Sequence, residues 1–341
     1  MRFVAVAFVL GIAPAHAGFA GFDVPGGGTK GGQGTYANSV DPSGTVTGNV
    51  IDADGAIAGF VRSPDGGIVV FHAADGAETH SIDIDLQGVE TGYYKGGDGL
   101  YHGFTRTPDG AVATFDPKNS GGTQAITIDR RGAVAGQYAG PQGLQRGFLR
   151  KRKGRIVTFD GSPDAKSFGT FVTGVAAGAG VCGFWFDGAS AIHGFLRTDD
   201  GAISAIDVSG AGTGTLQGTQ AESINRHGDV AGFYTDGAGL RHGFLRRNDG
   251  TVETFDVPGA ASTIVASINA GRDVAGYFTD AGGVAHGFLR NAHGRFRTFD
   301  APGAALQQGR GTFVSAINDD GTITGETWDA QFVAHGYVGT P

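Results

Sequence analysis

The phrase 242-HGFLRRNDGTVETFDVPGA-260 returns as 286-HGFLRNAHGRFRTFDAPGA-304, and looser copies run upstream. Anchored on the glycine of HGF, the copies fall at Gly59, Gly103, Gly147, Gly194, Gly243, Gly287 and Gly336. The intervals are 44, 44, 47, 49, 44 and 49 residues. A period in the forties indicates an array or a propeller, because each copy is one supersecondary unit that must bury its faces against the next. A second glycine stands eleven residues before every anchor, as in Gly232 before Gly243. An apolar residue, Phe in five of six cases, stands twelve residues after each of the first six anchors. All length variation therefore lies outside this block, in connectors between rigid units.

Each unit divides into four short strands, as in 220-QAESIN, 228-GDVAGFYT, 240-LRHGFLRR and 251-TVETFDV. Asn225-Arg226-His227-Gly228 and Asn248-Asp249-Gly250 read as the turns between them. Asp-x-Pro-Gly ends the fourth strand, because proline has no ladder donor. Apolar residues on both faces of that strand suit a sheet held between two neighbours, and the paired glycines suggest close approach of adjacent sheets. The seventh unit, 313–341, stops after its third strand, while its missing fourth-strand phrase stands at 19-FAGFDVPGGG-28. The fold class expected is all-β: a seven-bladed β-propeller of four-stranded antiparallel blades. The N-terminal strand completes the last blade and closes the ring.

The first seventeen residues read as an export signal. Arg2 supplies the positive end, Phe3 to Ile12 the apolar core, and Ala15-His16-Ala17 a small-x-small cleavage site. The apolar run is too short for a permanent span. The domain expected is 18–341, exported to the periplasm or the exterior, with no membrane span. Cys182 is the one cysteine, so no internal disulfide is available. The net charge of −8 and the absence of a long basic block argue against a nucleic-acid partner. The single dense basic patch, 150-RKRKGR-155, reads as a solvated hairpin.

The recurring Ile-Asn-x-x-Gly-x-x-x-Gly, HGF and FDxPGA phrases resemble the bacterial extracellular HAF-repeat proteins. They stand here as 224-INRHGDVAG-232, 242-HGF-244 and 255-FDVPGA-260. The resemblance covers essentially the whole chain after residue 17. It implies secretion and a propeller-like repeat, and it carries over no catalytic residue. Two units depart from the pattern: 174-GVAAGAGVCG-183 lacks the Asn, and the first unit has Ala58 for the His and His72 for the Asp.

His102, His193, His242, His286 and His335 all precede an anchor glycine. On third strands, equivalent rings of neighbouring blades stand too far apart to share one ion, so structural hydrogen bonds are expected and no metal site. Asp23, Asp116, Asp160, Asp207, Asp256 and Asp300 are expected to cap the following turns. Tyr94, Tyr138, Trp185, Tyr234 and Phe278 are expected to pack between blades. No cofactor motif appears, and a monomer is expected.

A ligand site should lie where the repeat's symmetry breaks. The leading positions of the first strands share the connector end of the ring, and Tyr36, His80, Gln124 and Gln220 make a polar arc there. Glu222 lies one step deeper. The function expected is a secreted, non-catalytic binding or scaffold propeller for an envelope glycan or a protein partner. The alternative is a glycan hydrolase or lyase at the same mouth, with His80 and Glu222 as its acid–base pair.

Overall fold

Short β-branched and aromatic runs between glycine turns give strands and nothing else. The computed structural model describes residues 18–74, 78–141, 143–162, 164 and 168–341, and among these it contains 28 strands and no helix. The expected export signal, residues 1–17, lies outside the described residues.

The first strands of successive units are Gly34–Val40, Thr79–Ile84, Thr123–Ile128, Thr170–Ala176, Gly218–Ile224, Ser262–Ile268 and Gly311–Ile317. In units 1 to 6, each pairs antiparallel with a second strand, that with a third, and that with a fourth. Unit 7 supplies three strands, and Phe19–Phe22 pairs antiparallel with its third, placing Phe22 opposite Gly336. Each first strand packs against those of the units before and after it, unit 7 against unit 1 included.

The fixed spacings now have a geometric cause. Gly232 lies directly opposite Phe244, and Gly243 directly opposite Phe255. Each phenyl ring lies against the glycine of the neighbouring strand, where a Cβ would collide with it. The paired glycines therefore seat aromatic rings within one unit, rather than bringing adjacent sheets together as their pattern suggested. Phe60, Phe104, Phe148, Phe195, Phe244 and Phe288 are fully buried this way.

The hydrogen-bonded sheets differ from seven separate four-stranded blades. They contain 12, 4, 8 and 4 strands, and no sheet closes on itself. Single parallel bridges cause the merging: Gly34 to Ala334, Gly218 to Ile192 and Gly311 to Ala285. All three glycines have φ between 109° and 125°, which turns the incoming connector onto the third strand of the preceding unit.

Two further devices tie units together. A threonine heads every first strand (Thr35 in unit 1, Thr219 in unit 5) and is 0–1% exposed in all seven. In six units its hydroxyl accepts the N–H just beyond the preceding fourth strand, as Thr35 does from Val24 at 2.9 Å and Thr219 from Val208 at 3.0 Å; in unit 3 Pro117 has no N–H to give, and Thr123 bonds the Ser120 hydroxyl at 2.9 Å. In five units the last arginine of the third strand lies over the fourth-strand phenyl ring of the unit before. Arg62 stands 5.0 Å from Phe22 and Arg106 4.4 Å from Phe71.

Candidate ligand-binding site

Every first strand carries a β-bulge at the same place, between Ala221 and Ser223 in unit 5 and between Val314 and Ala316 in unit 7. A bulged residue leaves the ladder and its side chain is re-aimed. Here the bulged residues, including Asn38, Thr173, Glu222 and Ser315, converge on one cavity of about 350 Å³ lined by all seven first strands. The cavity reaches the turns that follow those strands, through Asp41, Asp85, Asn269 and Asn318.

That end is stitched by side chains that cross the unit boundaries. Asn225 Nδ2 donates to the Asn269 carbonyl at 3.1 Å, Asn269 to Asn318 at 3.2 Å, and Asn318 to Asp41 at 2.8 Å. Their Oδ1 atoms accept N–H groups of the turns that they open. Asp83 joins units 1, 2 and 3, accepting from Ser39 at 2.7 Å and Thr127 at 3.0 Å. Burial raises the Asp83 carboxyl above the usual range, and these bonds oppose it.

Glu222 differs from every other carboxylate here. It projects into the cavity and makes no hydrogen bond among the described residues. Its carboxyl is enclosed by protein yet remains partly open to the cavity. Burial pushes its pKa up to about 8, with Arg241 opposing weakly. Glu326, on the second strand of unit 7, is raised by burial to about 7 despite the Ser315 hydroxyl at 3.3 Å. A carboxyl raised in this way can donate as well as accept near neutral pH, so the wall offers both donors and acceptors.

The other expected site residues do not gather with it. Tyr36 donates to the Gly32 carbonyl at 2.8 Å. Gln124 accepts from Gln137 at 3.1 Å. Gln220 lies on the same strand as Glu222 but does not line the cavity. His80 bonds Glu78 at 2.9 Å and stacks on Tyr93 at 4.6 Å. Glu78 also accepts from Tyr101 at 3.0 Å and is lowered, first by the His80 bond. The expected His80–Glu222 pair is thus not formed: Glu78 of the same unit occupies the ring, and units 2 and 5 are not neighbours. The physical reason is strand direction. Leading positions sit at the connector end, whereas the cavity extends toward the first turns, and only Glu222 is deep enough to reach it.

The repeated histidines are structural, with a different partner from that expected of the Asp row. His102 bonds Asp116 at 2.7 Å, His193 bonds Asp207 at 2.8 Å, and His286 bonds Asp300 at 2.7 Å. These aspartates pair with imidazole; no hydrogen bond to the Pro-Gly turn accompanies them among the described contacts. His335 bonds Asp23 at 2.8 Å, so the last unit's histidine holds the N-terminal segment. Trp185, Tyr234 and Phe278 stack on the histidine of their own unit, at 4.4, 5.0 and 5.2 Å, and they also pack, as expected, in cores shared with the preceding unit, Trp185 with Leu149 and Phe159 and Tyr234 with Ile206 and Val208. Among the described residues, no group of three or more His, Cys, Asp or Glu is placed to hold a metal ion, and no helix is long and apolar enough to cross a membrane.

These groups set the pH response. The Asp116 hydrogen bond raises His102. Burial opposes the rise at His242 and His335, but Asp256 and Asp23 outweigh it. A raised histidine stabilises the fold below its unfolded pKa, and that stability is lost as pH rises through the folded value. Glu222 and Glu326 act in the same direction, since the folded state keeps protons that the unfolded chain has released above about 4.5. Asp98, Asp187 and Asp280 are lowered, first by turn N–H bonds at Leu100, Ala191 and Val284, and lose stability below about pH 4. The melting temperature is therefore expected to peak near pH 5 and to fall toward pH 8. Glu222→Gln with Glu326→Gln should flatten that fall, as scanning calorimetry at stepped pH would test. A melting temperature constant from pH 5 to 8 would contradict the assignment.

No protein-family model and no curated protein matches this chain. Solved structures do. The chain is similar to the BP39L lectin from Burkholderia pseudomallei, with TM-score 0.55 and 11% identity over 89% of this chain and 95% of that one. It is similar to puromycin hydrolase, with TM-score 0.56 and 13% identity over 92% of this chain and 53% of that one. It is also similar to TolB from Acinetobacter baumannii, with TM-score 0.50 and 11% identity over 74% and 62%. The chain spans 62% of TolB and 47% of the prolyl endopeptidase it also matches. TolB and the BP39L lectin are β-propeller proteins, and the fold is all-β and propeller-like.

Proposed function

We propose that this chain is an exported, non-catalytic binding protein of the HAF-repeat kind. In this reading the seven units are the blades of one closed propeller, 18–341, with Phe19–Phe22 as the borrowed fourth strand of the last blade. The pairing of Phe22 with Gly336 and the packing of unit 7 on unit 1 support closure. The ligand is a polyhydroxylated one, an envelope glycan, taken in the axial cavity. The observation that carries this is Glu222, a carboxyl without a partner in a cavity to which all seven first strands contribute. A half-buried carboxyl that faces the cavity without a protein partner is free to bond what enters it, and sugar hydroxyls both donate and accept. The BP39L lectin makes glycan binding a use to which this fold is put.

Catalysis at the mouth has less support, because the acid–base pair that it needed is not assembled. A glycan array, with reducing-end release measured in parallel, tests the reading. Binding without release is expected. Glu222→Gln, which keeps a donor and an acceptor, should retain affinity within about threefold, whereas Glu222→Leu should lose at least about tenfold. Release of reducing ends, or equal binding by both variants, would overturn it.

A further inference from the structure

Six units turn from second to third strand through a small residue in the left-handed region: Gly55, Gly99, Gly143, Ser190, Gly239 and Gly283. Unit 7 places Phe332 there, at φ 61°. A bulky side chain in that region is a genuine outlier, because its Cβ crowds the backbone. The strain does not serve burial, since Phe332 is 37% exposed. Strain of this kind persists where the surroundings hold it, and it concentrates at functional sites.

The surroundings are specific. The Phe332 carbonyl accepts the Gly32 N–H at 2.8 Å, fixing the loop at the seam between units 7 and 1. The Arg310 guanidinium lies 3.7 Å from the Phe332 ring centroid. Trp328 meets Phe332 edge-on at 5.9 Å and Tyr36 of unit 1 at 6.4 Å. Arg310 has no carboxylate partner among the described residues; Nη1 reaches only the Gln308 carbonyl at 3.4 Å. Elsewhere in the chain the buried Arg106 and Arg290 and the half-exposed Arg272 each hold a carboxylate, whereas Arg62, Arg150 and Arg197 lie over phenyl rings as Arg310 does. Its Nε is buried without a partner, so the two Nη groups are the edge that the guanidinium offers an anionic oxygen pair beside an apolar stacking surface.

We propose that Phe332, Trp328 and Arg310 form a subsite for a sugar ring bearing a carboxylate. The ring stacks on the aromatic surface and the carboxylate takes the guanidinium fork. The inference rests on the glycan reading above, but the subsite lies at the connector end, apart from the axial cavity.

The test is calorimetric titration with galacturonic acid oligomers and with neutral xylose oligomers. The wild-type protein should prefer the acidic oligomers at least about tenfold, and the preference should weaken with salt. Phe332→Gly should raise the melting temperature by about 1–3 °C by releasing strain, while acidic-oligomer affinity falls at least about tenfold. Arg310→Gln should abolish the preference and leave neutral binding unchanged. Binding of neutral oligomers without an acidic preference would overturn the subsite and leave the glycan reading standing. Binding of neither class would overturn both. A fall in melting temperature for Phe332→Gly would make the ring a structural plug, and the subsite would be lost.

Discussion

Deleting residues 18–23 is expected to lower the melting temperature by roughly 10 °C, with the third strand of unit 7 becoming open to protease. The segment is short, but it carries two rings into packed positions. Phe19 stacks on Phe299 of unit 6 at 4.5 Å and meets Tyr337 at 5.3 Å. Phe22 lies across Gly336, meets Phe60 of unit 1 at 5.9 Å and takes Arg62 over its face. The segment thus binds the last unit to both of its neighbours. Truncating a packed phenylalanine costs about 3–5 kcal/mol, and these two are partly exposed, so the lower figure applies to each. In a chain of this size each kcal/mol moves the midpoint by about 1.5 °C. The deletion also strips the backbone partner from the Ala334–Gly339 strand and leaves the fully buried Tyr337 beside an open edge. The Asp23–His335 pair adds little, because Asp23 is mostly exposed. Calorimetry and timed proteolysis read both effects, and an unchanged transition would mean that the segment only decorates the last unit.

Gly232→Ala is expected to destabilise by about 3 kcal/mol or more, whereas Gly243→Ala should cost roughly half as much. Both glycines sit under a phenyl ring. At Gly232 an added Cβ would also drive into the Gln220 carbonyl on the first strand, which is ladder backbone and cannot rotate away. At Gly243 the nearest atoms belong to the Phe255 ring on the fourth strand, the outermost of the unit, where a side chain can shift. Chemical denaturation of the two variants checks the order. Equal losses would show that the ring, not the carbonyl, sets the constraint.

Much of this architecture was legible because the repeat samples the same geometry several times. The invariant distance of twelve from Gly243 to Phe255 is the cross-strand pairing itself, seen through one short turn. The missing strand of unit 7 was legible because a counterpart to 255-FDVPGA-260 stands near the other end of the chain as 22-FDVPGG-27. The aspartate row was misassigned because a single chain does not show which neighbour a carboxylate meets. Asp256 is two residues from a Pro-Gly turn but fourteen from His242, and the hairpin brings the distant one nearer. The threonine that heads each first strand was missed although it recurs, since its partner is a backbone N–H and leaves no mark in composition. Phe332 carried a signal that could have been read: it replaces a glycine in a turn whose other copies are almost all glycine.

The linear chain by itself determined the strands, their order within a unit and the residue that completes the last one, because these follow from turn chemistry and from a two-residue side-chain period. Which side chains reach one another across units was decided by the fold alone. A bulge re-aims Glu222 into the axial cavity, a neighbouring glutamate takes His80 away from it, and a connector carries Arg310 over Phe332. Such meetings depend on the angle and distance between separately encoded units. Those are set by how the units pack, and no local run of residues records them.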